Sequence, residues 1–303
     1  MGGSFVVDGL QLGDHACWIY DDEDRCLREM ARFVQVGLAQ RQRVLYLTDS
    51  LAPSSLLVAL QARGVLAAEA AATGGLVVRP AREVYLTGDR SGATVDPARL
   101  LRLTHDAVTE AVRAGYAGLR AVGEMTGALA GPSDVGRLIE YETRVNRNFL
   151  DGLAVGVCLY DARRFDGDLL RALAATHPCT RRCPRAPGAD DGWRPPLRMR
   201  VDRAGLWLRG AVDATNRAAL WAALCGFLDR AGGAGGPLRV DVSELTFLDA
   251  AAASLLARAA AAAPSGLTVT GCSDRVVRIL ALIGASGVPE LTLERVLTPP
   301  ALA

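Results

Sequence analysis

Short apolar runs alternate with helix-period segments through residues 1–178. The runs of strand length are His15 to Tyr20, Val44 to Thr48, Leu76 to Arg79, Leu119 to Val122 and Val155 to Tyr160. Between them, the spacing predicts helices from about Glu23 to Gln40, Ser54 to Arg63, Asp96 to Ala114 and Gly136 to Phe149. Strands that are apolar on both faces and separated by helices predict a mostly parallel sheet covered on both sides, so the class is α/β.

The period is lost between Thr176 and Pro196, where proline, glycine and charge dominate. This divides the chain into residues 1–178, a linker over 179–196, and a smaller unit over 197–303. In the smaller unit, Arg198 to Val201 and Leu206 to Leu208 predict a hairpin around Arg203-Ala204-Gly205. Helices from Ala214 to Arg230, Ala251 to Ala262 and Asp274 to Ile283 then alternate with strands from Leu238 to Val242, Leu267 to Gly271 and Leu291 to Leu293, giving a second α/β unit.

Composition narrows the function classes. A formal charge of +1 gives no global attraction to nucleic acid or to an anionic membrane. The opening MGGSFVVDGLQLGDH lacks the basic-then-apolar order of a secretory signal. The alanine-rich tract Ala250 to Ala263 is interrupted by Ser254 and Arg258. It falls short of the roughly 20 residues that a spanning helix needs, so a cytoplasmic location is expected. Seven scattered cysteines fit reduced core thiols better than a disulfide framework. Every basic residue is arginine, which excludes Schiff-base and P-loop lysine chemistry.

Two segments of the smaller unit carry a pattern. Gly210-Ala211-Val212-Asp213 follows a strand, and Val240-Asp241-Val242-Ser243 leads into Phe247-Leu248-Asp249. Over about 105 residues this resembles the STAS domain of anti-sigma-factor antagonists. The resemblance implies that Asp213, Asp249, Ala251 and Ser254 lie on a surface that docks an anti-sigma factor or a serine-kinase-like regulator. Helix capping is the alternative role for both aspartates. Where such antagonists keep a phosphorylatable hydroxyl, two residues after the loop aspartate, this chain has Ala251. Ser254, about one turn further on, is a weak substitute.

The larger unit carries His15-Ala16-Cys17-Trp18-Ile19-Tyr20, Gly123-Glu124-Met125-Thr126, Glu140-Tyr141-Glu142 and Cys158-Leu159-Tyr160-Asp161 with Arg163-Arg164-Phe165. Together, from about residue 10 to 178, these resemble the MEDS sensory domain found in regulators of methanogens and methylotrophs. The resemblance implies a RecA-like sheet and a ligand-sensing role. His15 and Cys17 share a strand face. With Tyr20 and Glu124 they are the candidate sensing residues, expected at the carboxyl ends of the strands. A buried histidine beside an inert thiol, and a zinc or redox role, are the alternatives for His15 and Cys17. The turn Asp21-Asp22-Glu23-Asp24 is expected to repel a nucleoside triphosphate. His177, Cys179 and Cys183 lack the paired spacing of a zinc site, and Arg181, Arg182 and Arg185 beside them favour a solvated linker.

The expectation is therefore a sensor unit that controls a partner-binding unit and needs no catalytic residue, metal or cofactor. A RecA-like nucleotide-dependent enzyme and a scaffold without a ligand are the competing readings.

Overall fold

The computed structural model describes residues 6–88, 93–129, 134–182, 193–231 and 237–295. They form two compact units, Met1–Pro195 and Pro196–Ala303.

In chain order the first unit contains β1 (His15–Tyr20), α1 (Glu23–Ala39), β2 (Arg43–Thr48), α2 (Pro53–Gln61), α3 (Ala67–Ala72), β3 (Leu76–Pro80), α4 (Ala81–Tyr85), β4 (Leu86–Thr87) and β5 (Thr94–Val95). It continues with α5 (Pro97–Arg113), β6 (Leu119–Glu124), α6 (Asp134–Val145), β7 (Ala154–Asp161), α7 (Gly167–Ala175) and β8 (Cys179–Arg182). Six strands make one sheet in the order β3-β2-β6-β7-β1-β8, and every pairing in it is parallel.

Side-chain alternation divides the core of this unit. Ala16, Trp18, Tyr20, Val122, Val157 and Leu159 pack with Met30, Phe33 and Val34 of α1 and with Leu56 and Leu60 of α2. On the other face, Cys17, Ile19 and Tyr160 pack with Leu100 and Leu101 of α5, Leu138 and Tyr141 of α6, and Leu170 and Leu173 of α7. Three helices of this unit start on aspartate caps that satisfy free amides, Asp166 serving α7 through the Asp168 and Leu169 amides. Asp22 accepts from Arg25 N before α1, and Asp96 accepts from Arg99 N before α5.

Cys179–Arg182, expected as the start of the linker, is instead the edge strand β8, paired in parallel with Ala16 to Ile19 of β1. Residues 183–192 of that linker, with Cys183 and Arg185, lie outside the described residues.

The second unit contains β9 (Leu197–Val201), β10 (Leu206–Val212), α8 (Arg217–Ala231), β11 (Leu238–Leu248), α9 (Ala250–Ala262), β12 (Leu267–Cys272), α10 (Asp274–Leu282) and β13 (Leu291–Arg295). The sheet runs β13-β12-β11-β10-β9, with only the β9–β10 hairpin antiparallel. Gly210 sits at a bulge with φ +101°, where a Cβ would meet the Pro196 carbonyl oxygen at 2.1 Å, so no other residue fits there. No helix among the described residues is long and apolar enough to cross a membrane. The six described cysteines are free thiols.

Candidate functional site

β1 and β7 are neighbours, with His15 opposite Gly156 and Cys17 opposite Cys158. Their alternating side chains therefore place His15 and Cys158 on one face, under α6 and α7. Glu142 comes down from α6, and His177 follows the end of α7. The four donor atoms of His15, Glu142, Cys158 and His177 all lie within 4.8 Å of one another.

His15 Nε2 is 3.3 Å from Cys158 Sγ and 3.5 Å from Glu142 Oε2. The Cys158 thiol points at Glu142 Oε2 at 3.4 Å. His177 Nε2 stands 3.3 Å from the same oxygen, yet off the line of a hydrogen bond, so this buried nitrogen has no hydrogen-bond partner among the described residues. The Tyr160 hydroxyl donates to Glu142 Oε1 at 2.7 Å.

The surroundings fix these groups. His15 stacks on Phe149 at 4.6 Å and lies 4.3 Å from the His177 ring. Its Nδ1 meets Asn146 Oδ1 at 3.1 Å, while His177 Nδ1 meets the Leu173 carbonyl at 2.8 Å. Burial, together with the neighbouring His177, lowers the His15 pKa to about 3, so this ring is neutral at physiological pH. Burial and the adjacent Glu142 push the Cys158 thiol well above its usual value. Burial alone would raise Glu142, but the two histidines and the Tyr160 hydroxyl outweigh it and hold the carboxyl below its usual range.

His15 and Cys158 also line a mostly apolar cavity of about 80 Å³, walled by Tyr85, Leu100, Met125, Tyr141 and Phe149. A space of this size holds more than one water, the minimum for one being about 10–15 Å³.

The four residues expected to sense together do not form one pocket. His15 and Cys17 do share a face, but Tyr20 and Glu124 belong to the opposite one because side chains alternate along β1 and β6. Tyr20 and Glu124 line a separate cavity of about 260 Å³ with Glu23, Asp24, Tyr46 and Arg63. There Glu124 Oε2 accepts from the Asp49 and Ser50 amides at 2.8 and 2.6 Å, which anchors the loop after β2. Cys17 is fully buried, and burial pushes its thiol well up.

The acidic turn is also less repulsive than its sequence implies. Asp24 pairs with Arg28 and Arg63, Glu23 pairs with Arg163, and Asp22 is taken up as the α1 cap. His177 and Cys179, expected in a solvated linker, are 0% and 2% exposed.

Sequence reasoning missed Glu142 and His177 as partners of His15. The available signal was compositional, since the chain has three histidines and two of them converge here.

In the second unit, Asp249 caps α9 by accepting from Ala252 N at 2.6 Å. Asp213 does not cap α8, which begins three residues later than expected, at Arg217. It accepts instead from the Thr215 amide and hydroxyl at 2.8 and 2.6 Å, closing a turn that Asn216 backs by bonding the Asp213 amide. Ala251 is exposed on the first turn of α9. With Ser254, Arg217, Trp221 and Arg258 it lines an open groove of about 450 Å³. The Arg258 guanidinium lies over the Trp221 ring at 4.5 Å, and Ser254 Oγ bonds back to the Ala250 carbonyl at 2.9 Å.

Among solved structures, the flagellar accessory protein FlaH from Methanocaldococcus jannaschii aligns at 11% identity and a TM-score of 0.43, covering 65% of this chain and 89% of that one. A KaiC-like protein from Pyrococcus horikoshii OT3 aligns at 10% identity and a TM-score of 0.40, covering 65% and 89%. No curated protein matches the chain in sequence. The family model "Mlab, STAS domain" matches residues 197–294. The model of the MEthanogen/methylotroph, DcmR Sensory domain matches residues 14–178, more than half of the chain. The chain therefore belongs to the MEDS family, with a STAS domain following its sensory domain.

Proposed function

We propose that this chain is a signalling regulator whose MEDS domain senses a small molecule and whose STAS domain binds an anti-sigma factor or a serine-kinase-like partner, as an antagonist without the usual phosphoswitch. The observation that carries this reading is the open groove between α8 and α9, with Ala251 exposed on its wall where a phosphorylatable residue is expected. Arg217 and Arg258 make the groove cationic, which suits a partner segment bearing carboxylates. The small apolar cavity beside His15 supports the sensing half, since it admits a compact, largely apolar molecule.

The mechanism is binding, not turnover. The absence of lysine removes the residue that a P-loop uses on phosphate, and the turn after β1 contains no glycine for close backbone approach. Reduced thiols and the lack of a membrane-crossing helix among the described residues fit a cytoplasmic regulator.

Affinity capture with the full chain from native lysate, followed by mass spectrometry, tests this reading. Recovery of an anti-sigma kinase with the wild-type chain, and its loss with Ala251→Glu, is the expected result. Capture that is equally strong with both chains would place the partner surface elsewhere. A phosphate-release assay tests the enzymatic alternative, which turnover abolished by Glu124→Gln would support.

A further inference from the structure

We propose that His15, Glu142, Cys158 and His177 form a binding site for one divalent transition-metal ion of borderline softness, with zinc the best fit. This goes beyond the sensory reading and holds whether or not the neighbouring cavity takes a ligand.

Proton counting supplies the first reason. Asn146 Nδ2 donates to the carbonyls of Glu142, Thr143 and Thr176 at 3.0, 2.9 and 2.8 Å, which fixes the orientation of its amide. Asn146 Oδ1 is thus an acceptor, and the His15 proton that meets it is on Nδ1. The His177 proton is likewise on Nδ1, because its partner there is the Leu173 carbonyl. The His15 Nε2 lone pair therefore turns inward. It stands 3.3 Å from the Cys158 sulfur and 3.5 Å from Glu142 Oε2, and His177 Nε2 stands 3.3 Å from the same oxygen. A central cation would gather the His15 lone pair, the carboxylate and the thiolate left when the Cys158 proton is released to solvent.

Geometry is the second reason. Bonds of about 2.0–2.3 Å from zinc to nitrogen, oxygen and sulfur give tetrahedral ligand–ligand edges of roughly 3.3–3.7 Å. Four of the six edges here, at 3.3, 3.3, 3.4 and 3.5 Å, match that size before any ion is added, and the two from His177 to His15 and Cys158 lie within 4.8 Å. The outer contacts are the third reason. Each histidine is held through Nδ1 by a carbonyl oxygen, and Glu142 is held through its second oxygen by Tyr160. Hydrogen bonds of this kind orient metal ligands and raise their basicity. Two imidazoles, a thiolate and a carboxylate select zinc, cobalt or ferrous iron over magnesium or calcium.

The test uses the full chain, stripped with chelator under a phosphine reductant and titrated with Co²⁺ as the optical probe. The expected result is one Co²⁺ per chain, a thiolate-to-cobalt charge-transfer band, intense visible bands of a four-coordinate ion, and displacement by Zn²⁺. Cys158→Ser should abolish the charge-transfer band, whereas Cys17→Ser, buried on the same face but outside the cluster, should retain it. Asn146→Leu, which releases the His15 Nδ1 contact along with the amide's bonds to the Glu142, Thr143 and Thr176 carbonyls, should weaken Zn²⁺ affinity by about 10- to 100-fold while the chain stays folded. Absence of the band in the wild type would overturn the site, and so would a band that survives Cys158→Ser. If Cys158→Ser fails to fold, the wild-type spectrum and stoichiometry alone decide.

Discussion

At the scale of single residues, the buried cluster depends on one missing side chain. A Cβ at position 156 would approach the Phe149 ring to 2.7 Å, and that ring stacks on His15. Gly156→Ala should therefore destabilise the first unit by about 1–3 kcal/mol through overpacking, measured by urea unfolding. An unchanged midpoint would show that Phe149 can move freely.

Asp161 gives a prediction in pH. Hydrogen bonds from Arg163, through its side chain and amide, hold the Asp161 carboxyl below the usual carboxylate range. A depressed folded pKa adds stability that is complete above the unfolded value of about 3.9 and is lost as pH falls through the folded value. Arg163→Met should then be less stable than wild type near neutral pH, and the two should converge in acid. A constant difference across the whole urea series would mean that Arg163 acts through packing alone. Only part of the buried cluster was legible in the sequence. His15 and Cys17 could be placed on one face by alternation, but Glu142, Cys158 and His177 lie far from His15 in sequence and meet it only because β1 inserts beside β7.

At the scale of elements, the cap of α9 separates two roles of Asp249. Asp249→Ala should cost about 1 kcal/mol of stability, and Asp249→Asn should recover most of it, since asparagine caps as well. If the partner reads the charge, Asp249→Asn restores stability but not binding, whereas full recovery of both would leave Asp249 as a cap alone. Calorimetry and unfolding of the same three proteins decide this.

The main strands and long helices could be read because their apolar periods are strong. α7 and β8 could not. Gly167–Ala175 is short, and Cys179–Arg182 is polar and follows a proline, so its strand state comes from pairing with β1 rather than from its own residues. Missing these two elements is also what put His177 in a linker. The expected capping role of Asp213 failed for a related reason. Thr215 and Asn216 offer closer partners and tighten the chain into a turn before α8.

For the whole molecule, the sequence pattern conveyed two α/β units and their order, and the family matches at 14–178 and 197–294 agree with that order. A sensory domain ahead of a STAS domain gives a regulator only if occupancy of one changes the affinity of the other for its partner. The switch cannot sit at position 251, because a methyl group has no site for phosphate. Ser254, back-bonded within α9, and Thr246, whose hydroxyl donates to the Gly210 carbonyl at 3.0 Å, are the nearby hydroxyls. The most direct measurement is calorimetric affinity of the full chain for the proposed kinase-like partner, before and after incubation with magnesium-ATP, with phosphate located by mass spectrometry. The wild-type chain should stay unmodified and keep its affinity, and Ala251→Glu, which places a carboxylate among Arg217 and Arg258, should bind at least about tenfold more weakly. Stoichiometric phosphate at Ser254 or Thr246 with loss of affinity would contradict this, because the phosphoswitch would then have moved rather than disappeared.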